Sequence, residues 1–332
     1  MVISKIKLEN FRSHEEFSLE FHELTTMIVG KNGCGKTSVL EAVYEGAQGK
    51  SFRAVDKEIV QRGKDYYRVE IFYKNGEKTT VFYDFLKNKK EFLTTDKKSA
   101  RLPRKNKYPI ILFEPNDLNL VGSSPSHKRE FFDRTISQLT EIYSSSLSKF
   151  NKALRQRNEA LKQEICRPDD IFSWNVMLAK YGSEISRARG EMAENFNRKI
   201  TEVYREIAEN EDRVGIEFLT EVTGENEYLL ELEKNFQKDR VLGHTTFGTQ
   251  KDDYKFLFNG TSADGTASRG EIRSIVIALK FIEAEMLVEK LGKSPIILLD
   301  DVFSELDEKR QKSLAKKFKN NQVLITSVRG VD

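Results

Sequence analysis

Residues 30–37 read Gly30-Lys31-Asn32-Gly33-Cys34-Gly35-Lys36-Thr37, a complete GxxxxGK[ST] pattern. Such a loop does phosphate chemistry when it follows a strand and opens a helix. Here the apolar run Leu24 to Val29 precedes it and a helical pattern from Lys36 to about Glu45 follows. Glycines at 30, 33 and 35 let the backbone curl so that successive N–H groups and the helix N-terminus face a β-phosphate. Lys36 reaches the β and γ oxygens, and Thr37 offers its hydroxyl to Mg²⁺. The loop through Ser38 is therefore the expected ATP-binding segment, with Cys34 a small loop residue rather than a redox centre.

A phosphate loop needs an acidic partner at the end of another strand. Ile296-Ile297-Leu298-Leu299-Asp300-Asp301 supplies four apolar residues followed by two carboxylates. Asp300 is expected to hold the Mg²⁺ hydration shell and Asp301 to act as general base on water, so Lys36 and Asp301 are the catalytic candidates. More than 260 residues separate Lys36 from Asp300, too many for a compact GTPase-like domain, so a large insertion lies between them.

Ser268-Arg269-Gly270-Glu271 opens an amphipathic pattern, and Ser304-Glu305-Leu306-Asp307 follows the acidic pair. The first motif also describes an ordinary capped helix start. Together, Ser268, Gly270 and Glu271 with Ser304 and Asp307 resemble the signature and D-loop of ABC-type ATPases. That resemblance implies a nucleotide closed from the far side by a second copy of the chain, with ATP joining the two.

Further segments make the resemblance specific. They are Asn10-Phe11-Arg12-Ser13, the loop continuing as Thr37-Ser38-Val39-Leu40-Glu41-Ala42, Ser51-Phe52-Arg53, Phe113 to Leu118, Ser123 to Asp133 and Leu299 to Asp307. Across essentially the whole chain the sequence resembles the RecF family. The resemblance implies an ABC-type ATPase that dimerises on ATP, hydrolyses it slowly with stimulation by DNA, and acts in recombinational repair and replication-fork maintenance. It implies binding of duplex DNA and single-strand/duplex junctions, with RecR and RecO as partners in loading RecA at gaps. It also places Arg12 and Ser13 near the nucleotide, Arg53 near phosphate and Asn116 in a Q-loop region.

The chain departs from the family pattern at two places, and from transporters at a third. Gly243-His244 and Asp252-Asp253 stand apart where the family has one run, which bears on a partner surface. Glu271-Ile272-Arg273 replaces Gln-Gln-Arg, and Thr326-Ser327 stands where transporters place a switch histidine. SMC-like structural heads and other ABC-type ATPases are the alternative. The SMC class places hundreds of coiled-coil residues between the end motifs, and the insertion here is short.

The elements that must position these residues follow from periodicity. Ile3 to Leu8 and Phe17 to Phe21 read as strands, and residues 65–113 read as one β-meander layer through Asn75-Gly76. From Phe132 to Ile165 the apolar spacing predicts one long helix. A second, capped by Asp169 or Asp170, runs through Ile207. Arms of about 35–40 residues would reach roughly 55–60 Å at 1.5 Å per residue. The expected fold is α/β: an ABC-type P-loop ATPase head with a β-meander layer and an inserted helical lobe, a short antiparallel hairpin. Residues 1–124 and 239–332 are expected to form the ATPase lobe, and 125–238 the helical lobe.

Composition removes other classes. Of 332 residues, 55 are Lys or Arg and 52 Asp or Glu, a net charge of +3 that excludes a histone-like polycation but leaves local nucleic-acid contact open. Two cysteines and four scattered histidines offer no zinc spacing and suit a reducing cytosol. No leader pattern or apolar run of about 18 residues occurs, so the expectation is a cytoplasmic chain with no membrane partner. The densest basic run, residues 87–107, and a second between Lys309 and Lys319 each read either as a phosphate-tracking surface or as a solvated face.

Overall fold

The computed structural model describes residues 2–95, 97–222 and 224–328. In chain order the first elements are β1 (Ile3–Phe11), β2 (His14–Glu20), β3 (Thr25–Val29), α1 (Lys36–Gln48) and a short α2 (Asp56–Ile59). Then come β4 (Tyr66–Tyr73), β5 (Lys78–Asp84), β6 (Lys89–Thr94), β7 (Lys98–Ser99) and β8 (Ile110–Phe113). The middle holds α3 (Pro125–Leu139), α4 (Glu141–Leu161), α5 (Pro168–Asn197), α6 (Ile200–Ala208), β9 (Val214–Leu219), α7 (Glu225–Lys234), α8 (Phe236–Leu242), β10 (Asp253–Phe258) and β11 (Thr261–Ser262). The last part is α9 (Arg269–Leu291), β12 (Ile296–Leu299), α10 (Glu308–Lys317) and β13 (Val323–Ser327).

Two compact units result: residues up to Asp117 together with those from Glu283 onward, and Leu118–Ile282. The division falls at 117/118 and 282/283, rather than at the 124/125 and 238/239 boundaries expected from sequence. Residues 239–282 join the second unit because β10 pairs antiparallel with β9 along its full length.

In the first unit an antiparallel sheet, ordered β2-β1-β4-β5-β6-β7, lies beside a parallel sheet ordered β3-β13-β12-β8. Along β4, Tyr67, Val69, Ile71 and Tyr73 are buried while the residues between them are not, the period of two that covers one face of a sheet. That face joins Val39, Leu40, Val43 and Tyr44 of α1 in one core. Gly46 lets α1 lie close, since a Cβ there would meet the Ile71 side chain. The expected meander does not run to 113. Ile110 to Phe113 are all buried and pair parallel with β12, as suits a strand covered on both faces.

The second unit corrects the long-helix expectation. Thr140 adopts extended backbone (φ −146°, ψ 128°) and separates α3 from α4, while Lys199 (φ −125°) separates α5 from α6. The apolar stripe survives these breaks because periodicity records which side is buried, not whether the helix is continuous. The hairpin is α4 against α5, of 21 and 30 residues, so its longer arm spans about 45 Å. Neither Asp169 nor Asp170 is the N-cap; Arg167 is, and its N–H donates to the Asp170 carboxylate at 2.8 Å.

Two buried arginines tie this unit together. Arg189 of α5 pairs with both carboxylate oxygens of Asp133 at 2.8 Å and with Asp252 at 3.0 Å. Asp252 also accepts from Ser186 (2.7 Å) and Thr220 (2.6 Å), and burial raises its carboxyl above the usual range. The Asp252 side chain is thus interior, not part of a partner-facing surface. Arg157 of α4, fully buried, donates to Asn175 (2.6 Å), Asp239 (2.8 Å) and Thr245 (2.7 Å). Arg157→Met strands the Asp239 charge and is expected to lower unfolding free energy by about 3–5 kcal/mol, measured by urea denaturation of the full chain.

Candidate nucleotide site

The loop 30–35 leaves β3 and enters α1 with Gly33 (φ 82°) and Gly35 (φ 94°) in the left-handed region, which turns backbone N–H groups toward one side. Lys36 arches back over it, its ammonium donating to the carbonyls of Gly30 (2.9 Å) and Lys31 (3.3 Å). The turn between β1 and β2 presses on this loop. A Cβ at Gly35 would lie 2.7 Å from Ser13 Oγ and would also strike the His14 ring, whose Nε2 is 3.1 Å from the Gly35 carbonyl. Position 35 therefore requires glycine on two independent grounds.

That turn is itself unusual. Asn10 (φ 53°) and Arg12 (φ 56°) are left-handed, and the strand end pairs with residues 59–61: Arg12 N–H donates to Ile59 (2.8 Å) and Gln61 N–H to Asn10 (2.9 Å). The pairing delivers Glu58, Val60 and Arg62 to the phosphate loop. A cavity of about 560 Å³ results, the size of a small-ligand site. It is lined by Arg12, Ser13, Asn32, Gly33, Gly35, Lys36, Thr37, Ser38, Arg53 and Asp301, all expected from sequence, and by Glu58, Val60 and Arg62, which were not. Four cationic side chains against two carboxylates make the cavity fit a polyanion.

Gly30, Lys31 and Cys34 belong to the loop without lining the cavity, and Cys34 is exposed. Asn116 is exposed on the 3₁₀ turn Pro115–Gly122 and is not brought to the cavity. Asp307 serves as the N-cap of α10, accepting from Arg310 N–H at 2.9 Å. The Ser304 side chain lies outside the described residues. Ser268, Gly270 and Glu271 belong to the second unit. There Ser268 and Glu271 form a capping box: Ser268 N–H donates to the Glu271 carboxylate (2.6 Å) and Glu271 N–H to Ser268 Oγ (3.3 Å), with Ser268 exposed.

The acidic pair sits at the end of β12. Thr37 donates its hydroxyl to Asp300 at 2.8 Å, bringing one hydroxyl and one carboxylate together as hard oxygen donors. Such a pair fits Mg²⁺, which keeps most of its waters and needs few protein ligands. Burial raises the Asp300 carboxyl above its usual range, against the pull of Thr37 and Thr326. Thr326 of β13, noted in the sequence only as standing where transporters place a switch histidine, bonds to both acids. Its buried hydroxyl donates to Asp300 (2.9 Å) and accepts the Asp301 N–H (2.8 Å), holding Asp301 at φ 53°. The sequence marked the position but not this bonding role, because residue type alone does not show which backbone groups the threonine meets.

The family model of the RecF/RecN/SMC N terminal domain matches residues 2–331. The DNA replication and repair protein RecF of Ruminiclostridium cellulolyticum is 35% identical over 353 residues, covering 98% of this chain and 92% of the relative. The chain belongs to the RecF family. A solved structure of the recombination mediator protein RecF-ATPrS in the RecFOR pathway matches 99% of this chain and 92% of the other, with TM-score 0.87 and 29% identity. One of RecF-ATP matches 100% and 93%, with TM-score 0.84. Like the rest of the RecF family, the chain has an α/β head of the ABC type and is an ATPase. No helix among its described residues is long and apolar enough to cross a membrane.

In a RecF-family ATPase, a residue that orients both acids without meeting the nucleotide should affect turnover rather than affinity. Thr326→Val removes the hydroxyl at nearly constant volume. Steady-state hydrolysis is expected to fall about tenfold or more, with ATP affinity by calorimetry within about twofold of wild type.

Proposed function

We propose that this chain is an ATP-driven DNA repair and replication ATPase in which two copies close on the nucleotide. The observation that carries the reading is the gathering of the phosphate loop, Arg12, Arg53 and Asp301 in one cavity of a RecF-family chain. Lys36 and the loop amides hold the β- and γ-phosphates, and Ser13, Ser38, Arg12 and Arg53 meet other oxygens. Thr37 and Asp300 hold Mg²⁺, which supplies charge neutralisation at the phosphates. Asp301 takes a proton from the attacking water. Ser268 and Gly270, at the exposed start of α9, close the nucleotide of a second copy, and Glu271, Ser304 and Asp307 are assigned to the same closure; the exposure of Ser268 supports this.

The finer reading is binding of duplex DNA and single-strand/duplex junctions in the cytoplasm, with RecR and RecO as partners in loading RecA at gaps. The names of the relatives support the repair and replication role. A cationic surface supports the DNA contact, but it is narrower than the basic run in the sequence. Lys87 pairs with Asp84, Lys89 and Lys98 with Glu91, and Lys90 is drawn inward between Glu45 and Asp56. Arg101 and Arg104 are exposed and form no ion pair among the described residues. The Lys293 ammonium donates to the Lys105 (3.2 Å) and Lys107 (3.4 Å) carbonyls, bringing the exposed Lys290 region to the same side. On α10, by contrast, Arg310 and Lys312 pair with Asp307 and Glu308, and Lys317 with Glu285.

Sedimentation tests the reading directly. Wild type is expected to dimerise with ATP, Lys36→Ala to stay monomeric, and Asp301→Asn to dimerise while hydrolysing about a hundredfold more slowly. A wild type that stays monomeric with saturating ATP overturns the closure by two copies. Arg101→Glu with Arg104→Glu is expected to weaken duplex binding about tenfold and lower the salt slope by about two, leaving ATP affinity unchanged.

A further inference from the structure

Behind the cavity lies a carboxylate that none of the chemistry above uses. Glu41 is one helical turn beyond Thr37 on α1, is fully buried, and does not line the cavity. It accepts two bonds from Arg12, Nε to Oε2 at 2.9 Å and Nη2 to Oε1 at 2.7 Å, and a third from Ser51 Oγ at 2.6 Å. Ser51 Oγ in turn accepts the N–H groups of Arg53 (2.9 Å) and Ala54 (3.2 Å). One carboxylate thus connects two arginines that reach the same cavity from separate segments.

We propose that Glu41 is a positioning residue that sets Arg12 and Arg53 for a nucleotide triphosphate; this rests on reading the cavity as the ATP site. A guanidinium has five N–H donors. Three of Arg12's are committed, two to Glu41 and one, from Nη1, to the Glu58 carbonyl at 2.9 Å. One on each terminal nitrogen remains for phosphate oxygens. The forked carboxylate fixes the plane of that guanidinium before any ligand arrives, so little rotamer freedom is lost on binding. The Glu41 bond to Arg12 also holds the guanidinium more firmly charged than usual. Through Ser51 the same carboxylate fixes the turn from which Arg53 projects, so its removal loosens both cations at once.

The test is ATP affinity of the full chain by calorimetry with Mg²⁺, alongside thermal unfolding. Glu41→Gln is expected to weaken ATP about tenfold, as loss of a charge-assisted fork does. Arg12→Ala should give a similar loss. In the double variant the two losses should not multiply, and the extra loss from Glu41→Gln should shrink to that of Ser51→Ala alone. Fully multiplying losses, or unchanged affinity in Glu41→Gln, overturns the proposal. Should Glu41→Gln fail to fold, Ser51→Ala decides: KM for ATP is expected to rise about threefold, and a wild-type KM overturns it. Failure of the wild type to bind ATP, or undiminished binding by Lys36→Ala, would instead break the reading of the cavity itself.

Discussion

A polyphosphate is held well by water, so a protein can hold it only where N–H donors and cations are fixed before it arrives. Much of the first unit follows from that constraint. Turning the loop amides to one side puts Gly33 and Gly35 in the left-handed region, and the close approach of Ser13 and His14 leaves no room for a side chain at Gly35. That approach depends on the left-handed turn at Asn10 and Arg12, held by pairing with residues 59–61. The antiparallel sheet is therefore a wall of the site as well as a cover for α1.

The parallel sheet solves the second half of the problem. Its order places β13 between β3, which ends in the phosphate loop, and β12, which ends in the acidic pair. Ligands in such sheets gather beyond the carboxyl ends of the strands. Because the two functional strands are not neighbours, something on the strand between them must connect their ends. The Thr326 hydroxyl does so, donating to the carboxylate that Thr37 also meets, and fixing the backbone of the next acid.

Contiguous features were legible in the sequence: the loop, the acidic pair, β1 to β5 and the parallel core closed from both ends of the chain. What escaped shares one cause. Arg62 and His14 were not singled out, and Thr326 and Glu41 were quoted within motifs without these roles; each role comes from groups distant in sequence. The helix breaks at Thr140 and Lys199 were invisible because the apolar stripe crosses them unbroken. Asp252 drew attention as a charged pair with Asp253. In the fold its carboxylate turns inward to Arg189, because β10 and α5 enclose it on the way to β9.

Charge counting fails for a related reason. A third of the chain is charged, with the two signs nearly equal, so most cations find an anion within reach. On a strand, a lysine and a glutamate two apart share a face, as Lys89 and Glu91 do, and their fields largely cancel beyond the Debye length. Lys90, between them, points to the opposite face and is drawn inward to Glu45, whose carboxyl burial raises to about 7. A run of lysines in a strand is thus divided by the pleat into a paired outer row and a buried inner one. Beyond β7, Arg101 and Arg104 are exposed and form no ion pair among the described residues. Within the run 87–107, then, the two exposed arginines without ion pairs lie past β7 and not on the strands themselves.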